Sequence, residues 1–66
     1  MNITINGKKE KVYDNISMLE LIKLKGLDKE KIVIERNLEI ISRDRFYDLI
    51  LADEDSIEIV SFVGGG

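Results

Sequence analysis

The sequence contains no cysteine, no histidine, no proline and no tryptophan, and its aromatic residues are two tyrosines and two phenylalanines. Without cysteine it forms no disulfide, and without cysteine and histidine it lacks the usual zinc ligands, so we expect no bound metal. The same absences remove the Ser-His and Cys-His arrangements of nucleophilic catalysis. We therefore expect that the chain binds no cofactor and catalyses no reaction by itself.

Charges of both signs are mixed along the chain, with ten basic residues against thirteen acidic ones and a net charge of −3 at pH 7. Binding to nucleic acid needs clustered lysine and arginine, so nucleic acid is not an expected partner. No apolar run approaches membrane-spanning length, and the N-terminus alternates polar and apolar residues instead of resembling a signal peptide. We expect a cytoplasmic protein that has no membrane partner.

A β-hairpin is predicted at the N-terminus. Residues 2–6 alternate between polar and apolar, which is the period of a half-buried strand. Asn6 and Gly7 form the dipeptide favoured in a type I′ turn, where both residues take a positive φ. The second strand is predicted over residues 10–14, with Val12 pointing into the core.

A helix is predicted over residues 18–25. Ser17 precedes it as an N-cap and Glu20 stands three residues later, which is the spacing of a capping box. Gly26 follows at the position where helices commonly end in a left-handed residue.

The remaining elements are short strands and turns. We predict strands at 31–35, 38–41 and 56–62, a turn at Asn37 and a solvated acidic turn at 53–55. The residues between the last two strands form an irregular or single-turn helical segment whose layout the sequence leaves open. The fold class is α+β, a mixed sheet of four to five strands with one main helix packed across one face.

The chain ends in three glycines, which we treat as a flexible tail of residues 63–66 attached to a domain of residues 1–62. Glycine has no side chain to widen the tail, so Gly64 and Gly65 could thread through a narrow channel. The reactive group at the tip is the α-carboxylate of Gly66, which adenylation by ATP would convert into an acyl donor. An inert, frayed terminus is the competing interpretation.

Val60, Phe62 and Val63 form an apolar stretch at the root of this tail. Exposed, they would form a docking surface for a partner; buried, they would belong to a central strand. Weak self-association through Val60 and Phe62 is a further alternative.

The order of elements and the ending resemble the ubiquitin-like β-grasp fold and, within it, the ThiS family of sulfur carriers in thiamine biosynthesis. The segments that carry the resemblance are 2–7, 17–22, 32–37 and 55–66. Family members often have Val-Pro-Arg after the fourth strand, and the matching residues here are Ile41, Ser42 and Arg43. The arginine is retained and the proline is not, which makes Arg43 a candidate partner contact.

The resemblance implies a mechanism and a set of partners. An E1-like adenylating enzyme of the ThiF type uses ATP to activate Gly66, and a cysteine desulfurase route supplies sulfur to form a thiocarboxylate. A thiazole synthase of the ThiG type then takes the sulfur. Gly64 and Gly65 thread into both enzymes, while Phe62 and Val63 dock at the entrance.

Three other functions remain open from the sequence. The small subunit of molybdopterin synthase uses the same chemistry but is typically longer, so the short chain favours the thiamine branch. A ubiquitin-like modifier would be conjugated through Gly66 to a lysine. An interaction domain with inert glycines would not need its tail at all.

Overall fold

The structure is a computed structural model that describes residues 1–62, and the predicted tail at residues 63–66 lies outside the described residues. The strands are β1 Asn2–Ile5, β2 Lys8–Lys11, β3 Ile32–Arg36, β4 Glu39–Ile41 and β5 Ser56–Ser61; the helices are α1 Met18–Leu24 and two 3₁₀ helices, Lys29–Lys31 and Arg43–Tyr47. The sheet has the order β2-β1-β5-β3-β4. Its β1–β5 pair is parallel and its other pairs are antiparallel, so the predicted mixed sheet is confirmed.

The first hairpin turns as the sequence predicts. Asn6 has φ 48° and Gly7 has φ 83°, and they join the paired residues Ile5 and Lys8 in a two-residue type I′ turn. The predicted bounds of the second strand, 10–14, are wrong because so short a turn brings Lys8 directly into the ladder. Val12 follows the strand and packs against the core, as expected.

Helix α1 begins with the predicted capping box. The Glu20 N–H donates to the Ser17 hydroxyl at 3.1 Å, and the Ser17 N–H donates to the Glu20 carboxylate at 2.9 Å. The helix ends at Leu24, one residue before the predicted end, and Gly26 takes the left-handed conformation with φ 67°. Each of these features depends on residues close in sequence, which explains why the sequence predicts them.

The hydrophobic core lies between α1 and one face of the sheet, which we call the covered face. Its buried residues come from β1, α1, β3, β4, β5, the second 3₁₀ helix and the connecting segments: Ile3, Ile5, Ile16, Met18, Leu21, Ile22, Ile32, Ile34, Ile41, Phe46, Leu49, Leu51 and Ile57. Ile57 and Ile59 on β5 face this core as predicted, with Ile59 partly buried. No helix formed by residues 1–62 is long and apolar enough to cross a membrane.

The β3–β4 connection differs from the prediction. Leu38 does not belong to β4; with Asn37 it forms a two-residue turn between the paired residues Arg36 and Glu39. Asn37 has φ 50° and Leu38 has φ 72°, so this turn is also of type I′. The sequence misses it because leucine is unfavourable in the left-handed region.

The prediction of a solvated turn at 53–55 is wrong for Asp55, which is only 5% exposed. Its carboxylate accepts hydrogen bonds from Arg36 Nε at 2.8 Å, Asn37 Nδ2 at 3.1 Å and the Ala52 N–H at 2.8 Å. Burial alone would raise the pKa of Asp55, but these donors outweigh it, so the pKa lies below its ordinary value. Asp55 therefore ties the β3–β4 turn to the start of β5.

Candidate functional site

The face of the sheet opposite α1, which we call the open face, carries exposed apolar side chains. Val33 on β3 and Val60 on β5 lie directly opposite each other in the ladder. Val60 is 60% exposed, and Ile40 on the edge strand β4 is 71% exposed. The alternation of a strand sends these side chains away from the core while their neighbours fill it.

Phe62 marks the root of the tail, immediately after β5. Its N–H donates to the Lys31 carbonyl at 3.1 Å, so the backbone ladder extends one residue beyond the strand. Its side chain is 54% exposed. Since residues two apart in an extended segment share a face, Phe62 continues the apolar set begun by Val60. The chain is thus held by hydrogen bonds up to the residue that precedes the predicted tail.

Arg43 lies beside Phe62 and joins the two 3₁₀ helices. Its Nε donates to the Lys29 carbonyl at 3.0 Å and its Nη2 donates to the Glu30 carbonyl at 3.4 Å. The guanidinium carbon is 5.9 Å from the centre of the Phe62 ring, within the range of a cation–π contact. Arg43 therefore has a structural role at the tail root in addition to the partner contact predicted for it.

Lys29 adds a second cation to this corner of the molecule. Its ammonium donates a hydrogen bond to the Tyr47 hydroxyl and lies 4.6 Å from the centre of that ring. The hydrogen bond raises the pKa of the Lys29 ammonium above its ordinary value. The lysine therefore stays charged at neutral pH.

The open face carries acidic side chains. The predicted acidic turn offers fewer carboxylates to a partner. Glu35 and Glu58 are directly opposite each other in the β3–β5 ladder, an arrangement that repels. Among residues 1–62 neither is in an ion pair. In the turn, Asp55 is buried and the Asp53 carboxylate accepts the Asn2 N–H at 2.8 Å, so two of its three carboxylates serve the fold.

The structure brings together three of the residues predicted from sequence, since Val60, Phe62 and Arg43 surround the end of β5. The predicted residues Val63, Gly64, Gly65 and Gly66 lie outside the described residues. Val33 and Ile40 were missed, because only the pairing register shows which β-branched residues share a face with Val60. Such a surface can hold the domain on a partner while the chain beyond Phe62 continues into it.

A shallow groove of about 540 Å³ lies on the helix side, with Leu19, Ile22, Leu27 and Tyr47 among its lining residues. It is separate from the open face, and no predicted site residue lines it. Among residues 1–62 no group of three or more acidic side chains is placed to hold a metal ion.

Comparison with known proteins shows which family this chain resembles along its length. The ThiS family model matches residues 2–66. The sulfur carrier protein ThiS of Bacillus subtilis is 40% identical over 65 residues, which are 97% of this chain and 98% of that protein. A thiazole synthase of Paramagnetospirillum magneticum is 35% identical over 66 residues, and this chain spans 20% of its length.

Solved structures agree with the sequence comparison. The crystal structure of the thiamine biosynthesis protein ThiS from Geobacter metallireducens superposes with a TM-score of 0.85 at 35% identity, covering the whole of both chains. The five-stranded mixed sheet with one helix across it is the β-grasp arrangement that the resemblance implied. The chain therefore belongs to the ThiS family, the sulfur carrier proteins of thiamine biosynthesis.

Proposed function

We propose that the chain carries sulfur as a thiocarboxylate at Gly66 and docks on its partner enzymes through Val60, Val63, Phe62 and Arg43. The observation that carries the proposal is a family match that runs through Gly66, together with exposed apolar side chains where β5 ends. An apolar patch beside a reactive terminus is where a partner would hold the domain. Gly64 and Gly65 would then pass into the partner's active site.

The chemistry requires activation, because a free carboxylate is a poor acyl donor. In the proposed first step, the Gly66 carboxylate attacks the α-phosphorus of ATP and displaces pyrophosphate, giving an acyl-adenylate. A sulfur nucleophile at the oxidation level of sulfide then displaces AMP and leaves a thiocarboxylate. The chain supplies the reacting group and the docking surface, while the enzymes supply ATP and catalysis.

The partners in this scheme are an E1-like adenylating enzyme, a cysteine desulfurase route and a thiazole synthase. The thiazole synthase is supported by the relative from Paramagnetospirillum magneticum, in which a region similar to this whole chain forms part of a thiazole synthase. The chain is a carrier that these enzymes act on, and the ATP-dependent loading reaction suits a cytoplasmic location. The full-length match to the ThiS family favours the thiamine branch over molybdopterin synthesis.

The test is the intact mass of the chain after incubation with ATP, the adenylating enzyme and a sulfur source, followed by a thiol-alkylating reagent. The chain has no cysteine, so the unmodified protein offers no thiol. We expect one alkyl adduct, mapped to the C-terminal peptide. This position separates a thiocarboxylate from oxidation of either methionine, which gives a nearly equal mass shift before alkylation.

Deletion of Gly66 is the matched control. The variant should keep the circular dichroism spectrum and unfolding temperature of the full chain but form no adduct, and it should not support thiazole formation. Thiazole formation by this variant would contradict the proposal. Conjugation of the full chain to lysine in place of thiocarboxylate formation would favour the modifier function instead.

A further inference from the structure

Both hairpins formed by residues 1–62 use the same type of turn with different residues. Both turns have asparagine first and both have two positive φ angles, but the second residue is Gly7 in one and Leu38 in the other. Glycine adopts the left-handed region readily, whereas leucine does so at a cost. The β3–β4 turn therefore carries a residue that its own geometry disfavours.

The Leu38 side chain gains little burial from the folded domain in exchange for this conformation. It is 91% exposed, the most exposed large apolar side chain among residues 1–62. Its turn is nevertheless firmly held, because the Asn37 N–H donates to the Ser56 carbonyl at 2.8 Å and the Ser56 N–H donates to Asn37 Oδ1 at 2.9 Å. The fold thus presents a strained leucine on a well-ordered turn.

Leu38 precedes a strand that adds an apolar side chain to the open face. Ile40, two residues later, lies on that face of the edge strand, directly opposite Glu35, which is two residues along β3 from Val33. Phe62 lies at the start of β3 and Leu38 follows its end, so the two are roughly 20 Å apart at 3.3 Å per residue. A partner that receives the tail would therefore meet apolar side chains at both ends of the sheet.

Charge indicates the chemistry of that partner. Glu35 and Glu58 lie on the open face, and among residues 1–62 neither is in an ion pair. Apolar residues accompanied by unpaired carboxylates complement a pocket bordered by lysine or arginine.

We propose that Leu38 is an anchor that inserts into an apolar pocket, bordered by basic side chains, on the thiazole synthase that receives the tail. This inference rests on the proposed function, because it assigns a second contact point to the same docking event. An anchor far from the tail fixes the orientation of the domain, so that the glycines enter the enzyme along one path. The strain in the turn is retained because the bound state needs an apolar side chain at this position.

The experiment measures two quantities on each variant of the full chain: the dissociation constant for thiazole synthase and the unfolding temperature. For Leu38→Gly we expect binding at least about tenfold weaker, as for an interface anchor, with an unfolding temperature equal to or above that of the unmodified chain. Leu38→Asn keeps a residue that tolerates the left-handed region and should weaken binding similarly. Leu24→Ala, which truncates another exposed leucine on the helix side, should leave binding within about twofold.

A second set of variants tests the contribution of the carboxylates to binding. Glu35→Gln combined with Glu58→Gln should weaken binding several-fold and reduce its dependence on ionic strength, whereas Glu54→Gln in the turn before β5 should do neither.

The outcomes separate this inference from the proposed function. Failure of the unmodified chain to bind thiazole synthase would overturn both. Normal binding by Leu38→Gly, or equal weakening by Leu24→Ala, would overturn the anchor alone. Loss of self-association in Leu38→Gly with no change in enzyme binding would also overturn it, because the occupant would then be a second copy of the chain.

Discussion

Neighbouring residues on β3 show how differently the two faces of the sheet use the same class of side chain. Ile34 points to the covered face and is 0% exposed, whereas Val33 points to the open face and is 38% exposed. On the covered face, burial of β-branched side chains supplies stability. On the open face similar side chains stay partly exposed, contribute less to stability and lie beside the proposed docking residue Val60. One strand therefore serves both the core and the proposed docking surface by its alternation alone.

The sharpest test of this comparison is a pair of alanine substitutions on β3. Ile34→Ala should lower the free energy of unfolding by about 3 kcal/mol, because it leaves a cavity in the core. Val33→Ala should lower it by less than about 1 kcal/mol, since its side chain is partly solvated. Urea denaturation of both variants measures the difference. Equal losses would contradict the assignment of faces.

Asp55 is the charged side chain among the buried residues of 1–62, and its contribution to stability depends on pH. Asp55→Asn should cost about 2 kcal/mol near pH 7, because the buried donors around it lose a charged acceptor.

The direction of the pH dependence follows from the lowered pKa of Asp55 in the folded state. In acid the unfolded chain takes up this proton first, so the contribution of the carboxylate is complete above its ordinary pKa of 3.8 and is lost as the pH falls through the lower folded value. Urea titrations from pH 7 down to the acid limit should show the gap between the unmodified chain and Asp55→Asn closing below about pH 4. A stability difference between the two proteins that widens in acid would contradict a contribution from the ionised Asp55 carboxylate.

The N-cap of α1, the helix over the covered face, contributes less to the free energy of unfolding. Ser17→Ala should cost about 1 kcal/mol, because it removes one of the two hydrogen bonds of the capping box. Ser42 is the matched control, since it precedes the second 3₁₀ helix without a side-chain cap hydrogen bond. Ser42→Ala should change the free energy of unfolding by no more than about 0.5 kcal/mol in the same urea measurement.

The smallest effect on stability is expected on the open face at the tail root. Val60→Thr keeps the shape and the β-propensity of the side chain, so the free energy of unfolding should change by about 0.5 kcal/mol or less. It makes the proposed docking surface more polar, so the KM of thiazole synthase for the loaded carrier should rise several-fold. Thr4→Ser, a substitution on the same face in β1, should leave both quantities unchanged. An unaltered KM in Val60→Thr would remove Val60 from the docking surface.

Local patterns predicted those parts of the molecule that are governed by neighbouring residues. The Asn6-Gly7 turn and the capping box of Ser17 and Glu20 are confirmed, because both depend on conformational preferences and hydrogen bonds within a few residues. The second strand, β3, β4 and the end of β5 were misplaced by one to three residues, since a strand begins and ends where its partner does. The candidate site was predicted in part. Val60 and Phe62 followed from the apolar ending, but Val33 and Ile40 did not.

The sequence alone determined the fold class, the capped helix and the first turn, because glycine, asparagine and capping residues restrict the backbone wherever they occur. Only the tertiary structure decided that Asp55 is buried, since its donors Arg36 and Asn37 lie on a distant strand and turn. It also decided that Leu38 sits strained and exposed, and that Val33 lies against Val60. Those arrangements depend on strand register, and register is set by contacts between residues far apart in the chain, which no local pattern contains.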